Sequence, residues 1–371
     1  MTHDRLKRLD AFLIPILAVL SGLVVSVILV LLTDTPPVEA YRILFVAGFG
    51  CNELTRCALF TTLERATPLI LTGLSAVVAF RSGMFSIGQE GQYLLGAVMA
   101  AWLGYAIQLP PVIHPLFVIH PLFIMIMSML AGAAYGWVPG VLRVKLGVNE
   151  LLVTIVLNAI AVLFAEYMVQ FPLRADAGAV AHSPVIDASA QLPTFLPGSK
   201  WGIGFVIAVL TAYAVYVYLW RSTPGYEQRM AGQSKRFALF GGIPSDNAAI
   251  RAMLISGALA GLAGSIEILG VHRRIMSAFS VGLGFDGLSV AILGQSHPLG
   301  VAIVAILFVG VRLGAQLGLQ LEAQIPRELG GTIIGLIILF VALRKFYEGN
   351  LDRLRDWLVR RFNRGQARPE R

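Results

Sequence analysis

Arg81, Gln89, Glu90 and Gln92 lie in FRSGMFSIGQEGQYLLG (80–96), among four glycines and between two strongly apolar runs. A carboxylate beside two amides can hydrogen-bond passing hydroxyls or close a gate, because ionisable groups inside a membrane are costly and mark pathways. The structural alternative is a tight link between two helices, with Glu90 held by freed backbone N–H groups or by Arg81. Both readings stay open on the residues alone.

Three further constellations carry potential chemistry. Thr154 and Asn158 are four apart, on one face of a helix, and Asn158 lies eight residues beyond Glu150. That places it about 12 Å into a bilayer, where it can touch a solute or bind a neighbouring helix. Asp286, Gln295 and His297 flank a short apolar segment broken by Pro298, an arrangement like the discontinuous helices that line transport sites. In SKRFALFGG (234–242), Ser234 can cap a short helix that Gly241 or Gly242 ends. Its Phe237 and Phe240 then form an apolar edge beside Lys235 and Arg236, a surface for a partner protein or for lipid headgroups.

Catalytic and metal chemistry find no footing. The chain has no His-Glu-x-x-His, and GLGFD (282–286) does not form the Gly-x-Gly-Asp of intramembrane aspartyl proteases. No Gly-Lys dipeptide occurs, so a phosphate-binding P-loop is missing. The tandem VIHPLF at 112–117 and 118–123 sets His114 and His120 six apart, each followed by proline. Helical metal ligands want spacings of three or four, so a duplicated helix entrance is expected there instead. No catalytic residue, metal or cofactor is assigned.

The elements that must position these groups are membrane helices. At 57% hydrophobic and 13% charged residues, the chain falls far below the roughly 25% charge of a soluble domain. Apolar runs at 12–32, 66–80, 92–108, 116–142, 150–170, 201–220, 250–270, 285–296, 299–317 and 329–343 predict an all-α polytopic bundle of roughly ten crossings. The runs at 66–80 and 285–296 are short enough to be half-helices or re-entrant segments. Lys and Arg concentrate in residues 5–8, 143–145, 221–251 and 344–371, which orients both termini to the cytoplasm. The net charge of +8 is then a membrane signature and requires no nucleic acid. The expected organisation is a cytoplasmic tail (1–11), a membrane domain (12–345) with an outer loop at 171–200 and an inner loop at 221–249, and a basic cytoplasmic tail (346–371). The outer loop is long enough to meet a partner.

Two halves echo one another. LTGLSAVVA (71–79) and ISGALAGLAG (255–264) are each followed by Phe-Ser-apolar-Gly and then by Glu90-Gly91 or Asp286-Gly287. Five crossings per half would make this an inverted repeat. Cys51 and Cys57 lie in an outer segment where an oxidising compartment permits a disulfide, but a spacing of six sets them on different faces of a helix.

ATPLILTGLSAVVAFRSGMFSIGQEGQYLLGA (66–97), GWVPGVLRVKLGVNELLVTIVLNAIA (136–161), SGALAGLAGSIEILGV (256–271) and GFDGLSVAILGQSHPLG (284–300) together resemble the permease subunits of bacterial ABC importers of the simple-sugar and nucleoside class. The likeness runs from about residue 60 to 345 and is nearest to the longer of two permeases in nucleoside importers. It implies a type II importer-like fold in the bacterial inner membrane. It also implies a cytoplasmic ABC ATPase, a second and different permease, and a periplasmic or lipoprotein substrate-binding protein. A free pentose or hexose is the alternative cargo, and an ATPase-independent channel or scaffold is the alternative class. One departure stands out: where the family reads like Ala-x-Gly-x-Asn-Pro, this chain has AGQSKRFALFGGIP, with Ser234 and Lys235 at the Asn-Pro positions.

Overall fold

The computed structural model describes residues 36–51, 57–108, 116–175, 180–196, 199–279 and 282–322, with isolated positions between 21 and 31 and between 331 and 339. The side chains of 116–118 lie outside that description, as do both tails and most of the apolar runs at 12–32 and 329–343. Contacts divide the chain into two units, 1–48 with 311–371, and 49–310.

In an apolar solvent the backbone must satisfy its own polar groups, and helices do so within a single segment. Every regular element among the described residues is accordingly helical, and the only strand-like pairings are isolated bridges. The helices are α1 (Pro37–Phe49), α2 (Ala58–Arg81), α3 (Gln89–Ala106), α4 (Leu116–Leu146), α5 (Glu150–Gln170), α6 (Ile203–Arg221), α7 (Thr223–Gln233), α8 (Lys235–Phe240), α9 (Ser245–Ile266), α10 (Leu283–Leu293) and α11 (Pro298–Leu313). Glu267–His272 extends α9 as a π-helical turn, and Gly314–Glu322 extends α11 in the same way. Among the described residues six helices are long and apolar enough to cross a membrane.

The run at 66–80 is no half-helix: α2 is a full 24 residues, since Thr62, Glu64 and Arg65 continue the helix beyond the apolar window. By contrast α10 is short, with 11 residues. The cysteines also depart from expectation. Cys51 and Cys57 are joined as a disulfide, because helical spacing does not apply to them: Cys51 follows the end of α1 and Cys57 is the N-cap of α2.

In the unit 49–310, α2 and α9 are central, with 78% and 72% of their most apolar windows buried, whereas α5 and α6, at 28%, present most of their surface outward. Small residues make that centre close. Gly132, Gly136 and Gly140 recur every four residues along α4 and meet Met253, Gly257 and Gly261 on α9. A Cβ built on Gly257 would collide with the Gly132 carbonyl, and one on Gly261 with the Ser128 carbonyl. This is backbone-to-backbone packing of the small-xxx-small kind, favoured where lipid offers no hydrophobic drive between helices. α2 and α9 are also tied by a buried hydroxyl pair, Ser75 to Ser256 at 2.9 Å.

Gly261→Leu should therefore force α4 from α9 at a cost of about 3 kcal/mol or more. Gly241→Ala meets only ordinary van der Waals neighbours and should be neutral. Monodisperse yield and melting temperature in detergent check both, and a wild-type Gly261→Leu protein would refute this packing.

Candidate functional site

The polar stripe of α5 organises the segment that first drew notice. Its buried residues are Glu150, Thr154, Asn158, Ala161, Ala165 and Val169, one helical face, while large apolar side chains such as Leu152, Val156 and Leu163 point outward. Residues 82–88 form no helix: Ser82, Gly83, Met84, Ser86 and Gly88 donate within the segment or back to α2, and the stripe accepts the two N–H groups that remain. Glu150 Oε1 accepts from the Phe85 N–H at 3.2 Å, Thr154 Oγ1 from Ile87 at 3.3 Å, and Asn158 Oδ1 from Gly91 at 2.9 Å. Asn158 Nδ2 donates to the Ile87 carbonyl at 2.8 Å, and Arg143 pairs with Glu150 at 3.2 Å. Thr154 and Asn158, candidates for touching a solute or for binding a neighbouring helix, have their polar atoms engaged with this segment.

That support starts α3 at the depth of Thr154 and Asn158 instead of at the end of the bundle. There it meets a second helix start. A Cβ on Gly284 would strike the backbone of Glu90, so the first turns of α3 and α10 are in direct contact. Glu90 is 3% exposed, and its Oε2 accepts the Gly284 N–H at 2.6 Å. A carboxylate is the natural partner for helix starts, where N–H groups lack intrahelical acceptors and the dipole is positive. Gln89 and Gln92 are buried beside it, and the Gln89 amide has no hydrogen-bond partner among the described residues. Asp286 lies in the first turn of α10.

Arg81 goes elsewhere. Its guanidinium donates to the carbonyls of Ser296 at 3.0 Å and Gln295 at 3.3 Å, at the far end of α10. Gln295 and Ser296 both hold left-handed backbone conformations, φ 58° and 50°, which non-glycine residues rarely adopt. Arg81 also lies 5.2 Å from the Trp220 ring centroid, with Arg229 at 5.7 Å, and the His297 ring is 5.0 Å from Trp220. Burial, and then the Arg81 charge, push the His297 imidazole below its ordinary pKa. The set Asp286, Gln295, His297 is therefore split: Asp286 lies in the first turn of α10, the turn that meets α3, and the other two belong to the Arg81 cluster at the far end of α10, about 16 Å away.

The 221–249 segment forms the short helix that its residues forecast. Ser234 Oγ accepts the Phe237 N–H at 3.3 Å, and Gly241 ends α8. Phe240 is 94% exposed, Phe237 67% and Leu239 55%, with Arg236 exposed beside them. Lys235 pairs with Asp246 at 2.8 Å, a solvent-exposed contact of little energy. Behind α8, α7 is bolted to α2. Gln228 Nε2 donates to the Val78 carbonyl at 2.7 Å, and a Cβ on Gly232 would meet the Arg81 carbonyl.

At the opposite end, Glu166 accepts from the Ser277 hydroxyl and, at 2.7 Å, from the Ala278 N–H. His120, six positions after a histidine outside the described residues, is buried and bonds Ser189 at 2.8 Å. Ser189 in turn holds the Asp187 carboxyl below its ordinary pKa. Glu64 and Glu267 line a cleft at this end. Neither was singled out from the sequence, although Glu267 interrupts the apolar run SGALAGLAGSIEILGV, and such an interruption is the signal that finds intramembrane acids.

The family described as branched-chain amino acid transport system / permease component matches residues 58–342. The guanosine ABC transporter permease protein NupP of Bacillus subtilis is 34% identical over 341 residues, 91% of this chain and 94% of that protein. The nucleoside ABC transporter permease protein NupB of Lactococcus lactis is 30% identical over 91% of this chain and 92% of its own. The glucose ABC transporter permease protein TsgB13 of Haloferax volcanii is 29% identical over 90% and 88%. No solved structure matches.

Asn158→Leu would leave the Gly91 N–H and the Ile87 carbonyl unpaired, each at about 1–3 kcal/mol. Its melting temperature should drop with its uptake, and Thr154→Val, which removes one acceptor, should lose less. Wild-type melting in both variants with uptake alone reduced would assign the two side chains to the solute.

Proposed function

Because the chain belongs to the branched-chain amino acid transport system / permease component family, we propose that it is the membrane-spanning permease subunit of an ABC importer that carries nucleosides. The observation that carries this reading is the 34% identity to a guanosine permease across 91% of the chain. ATP is hydrolysed by a partner ATPase, a second permease completes the membrane domain, and a periplasmic or lipoprotein binding protein delivers the solute. In this reading both termini lie on the cytoplasmic side of the bacterial inner membrane, which the concentration of Lys and Arg in the loops supports. The chain crosses roughly ten times, counting the apolar runs at 12–32 and 329–343. Its halves form an inverted repeat, a reading supported by the exchange in which α2 packs on α10 while α9 packs on α3. A free sugar is the second reading, favoured by the glucose permease relative.

In this reading α8 is the docking element for the ATPase. Phe237 and Phe240 provide the apolar anchor, and Lys235 and Arg236 a basic rim, on a helix that Ser234 caps. Movement of α8 passes to α7, and from Gln228 and Gly232 to the end of α2 and the 82–91 segment. There Arg81 holds the turn after α10 and Glu90 holds the junction of α3 and α10, with Gln89 and Gln92 buried beside it, so the two helices can be moved as a gate.

In proteoliposomes containing the whole importer, Phe240→Asp should reduce nucleoside uptake and solute-stimulated ATP hydrolysis at least about tenfold, as loss of a central anchor does. Phe240→Leu, which keeps an apolar anchor, should retain most of both. Normal coupling in the Asp variant would move the docking surface to the turn holding Asn149 and Glu150. Failure of a purified native complex to contain an ATPase would overturn the importer reading itself.

A further inference from the structure

At the α8 end of the unit, four elements bring cationic and aromatic side chains together. Arg81 ends α2, Tyr216 and Trp220 lie in the last turns of α6, Arg229 is on α7, and His297 immediately precedes α11. The Trp220 ring is their common platform. The Arg81 and Arg229 guanidinium carbons lie 5.2 and 5.7 Å from its centroid, and the His297 ring is 5.0 Å from it and 5.7 Å from the Tyr216 ring.

Two like charges drawn to one ring repel each other, and a fold ordinarily places a carboxylate between them. Among the described residues neither arginine has one. Glu227, two positions before Arg229, pairs with Arg251 instead. Arg81 uses Nε and one Nη on the carbonyls of Ser296 and Gln295, whereas Nε of Arg229 is buried and has no hydrogen-bond partner among the described residues. A buried donor on a cation is destabilising when it is left unanswered. The missing partner must therefore accept and carry negative charge, and the oxygens of a phosphate fit the arginine fork.

The surroundings of the cluster select the source of that phosphate. α6 presents most of its surface outward, and exposed Leu210 and Tyr213 continue the face of Tyr216 and Trp220 at helical spacing. On α11, Leu299 and Ile303 are exposed at a four-residue step that begins just after His297. A cationic head from which apolar stripes lead into the span matches the form of a phospholipid, and Trp and Tyr are the residues that mark the headgroup level. A free anion would have no use for the stripes. We propose that Arg81, Arg229 and His297 bind the phosphate of an anionic phospholipid of the cytoplasmic leaflet, whose acyl chains lie against the exposed faces of α6 and α11. The inference rests on the orientation given by the transport reading, since anionic lipid and basic pockets for it belong to the cytoplasmic side.

The test is titration of the purified, delipidated importer in neutral detergent with dioleoyl phosphatidylglycerol or dioleoyl phosphatidylcholine, bound lipid being counted by native mass spectrometry and inorganic phosphate serving as competitor. The anionic lipid should bind at least about tenfold more tightly, and millimolar phosphate should not displace it. Arg229→Gln should cut that preference about fivefold, the share of one arginine near a charged surface, and Arg229→Lys should keep most of it. Arg174→Gln, exposed at the opposite end, should leave it unchanged. Wild-type yield and basal ATP hydrolysis in these variants would separate a lost site from a lost fold. His297→Asp, which puts an acid into the cluster, should abolish the preference and answers the question if Arg229→Gln cannot be purified. Equal binding of the two lipids, or a wild-type preference in Arg229→Gln or His297→Asp, would overturn the site. Displacement by inorganic phosphate would overturn the lipid as its occupant. A preparation without an ATPase would overturn the importer reading and leave the same titration of the purified chain to decide the lipid site.

Discussion

Two helices, α3 and α10, begin inside the bundle with their first turns touching, and the Glu90 carboxylate lies at that contact, accepting the Gly284 N–H at 2.6 Å. Helix starts expose N–H groups and a positive dipole end, and neither can be left unanswered away from water. A single buried acid answers both, which is why the surrounding packing must bring Glu90 and Gly284 together. Gly284 is constrained by the same contact, since a Cβ there would strike the Glu90 backbone.

The depth of that contact is set by α5. Glu150, Thr154 and Asn158 hold the backbone of 85–91 through side-chain hydrogen bonds, so the chain after α2 turns inward before α3 begins. The other half reaches the same level by a different route: Glu166 anchors Ser277 and Ala278, and the chain then passes to Gly282 and α10. The glycine faces of α4 and α9 complete the arrangement by allowing these helices to approach at backbone distance.

The ends of the unit differ in chemistry. At the α8 end, cationic and aromatic groups gather as Arg81, Arg229, Trp220 and His297, next to an exposed phenylalanine helix. At the other, two carboxylates face a cleft under the segment that follows the Ser189–His120 latch. One end is cationic and aromatic with exposed phenylalanines, the other acidic and largely buried. Between them stands the Glu90 junction, with α2 running past all three.

Composition and apolar run length were enough to read an all-helical membrane chain, because hydrocarbon excludes other ways of satisfying a backbone. Ser234 and the glycines at 241 and 242 were enough for α8, since capping is a local interaction among neighbours. What lay beyond the linear chain was every partnership between distant residues. Nothing adjacent to Asn158 says that its amide will meet Ile87 and Gly91, or that Arg81 will choose the carbonyls at 295 and 296. Glu90 and Gly284 are 194 positions apart, Cys51 and Cys57 six, and in both cases helix register misleads or is silent. A polar side chain in a membrane declares only that it needs a partner; which backbone comes within reach is decided when the helices pack.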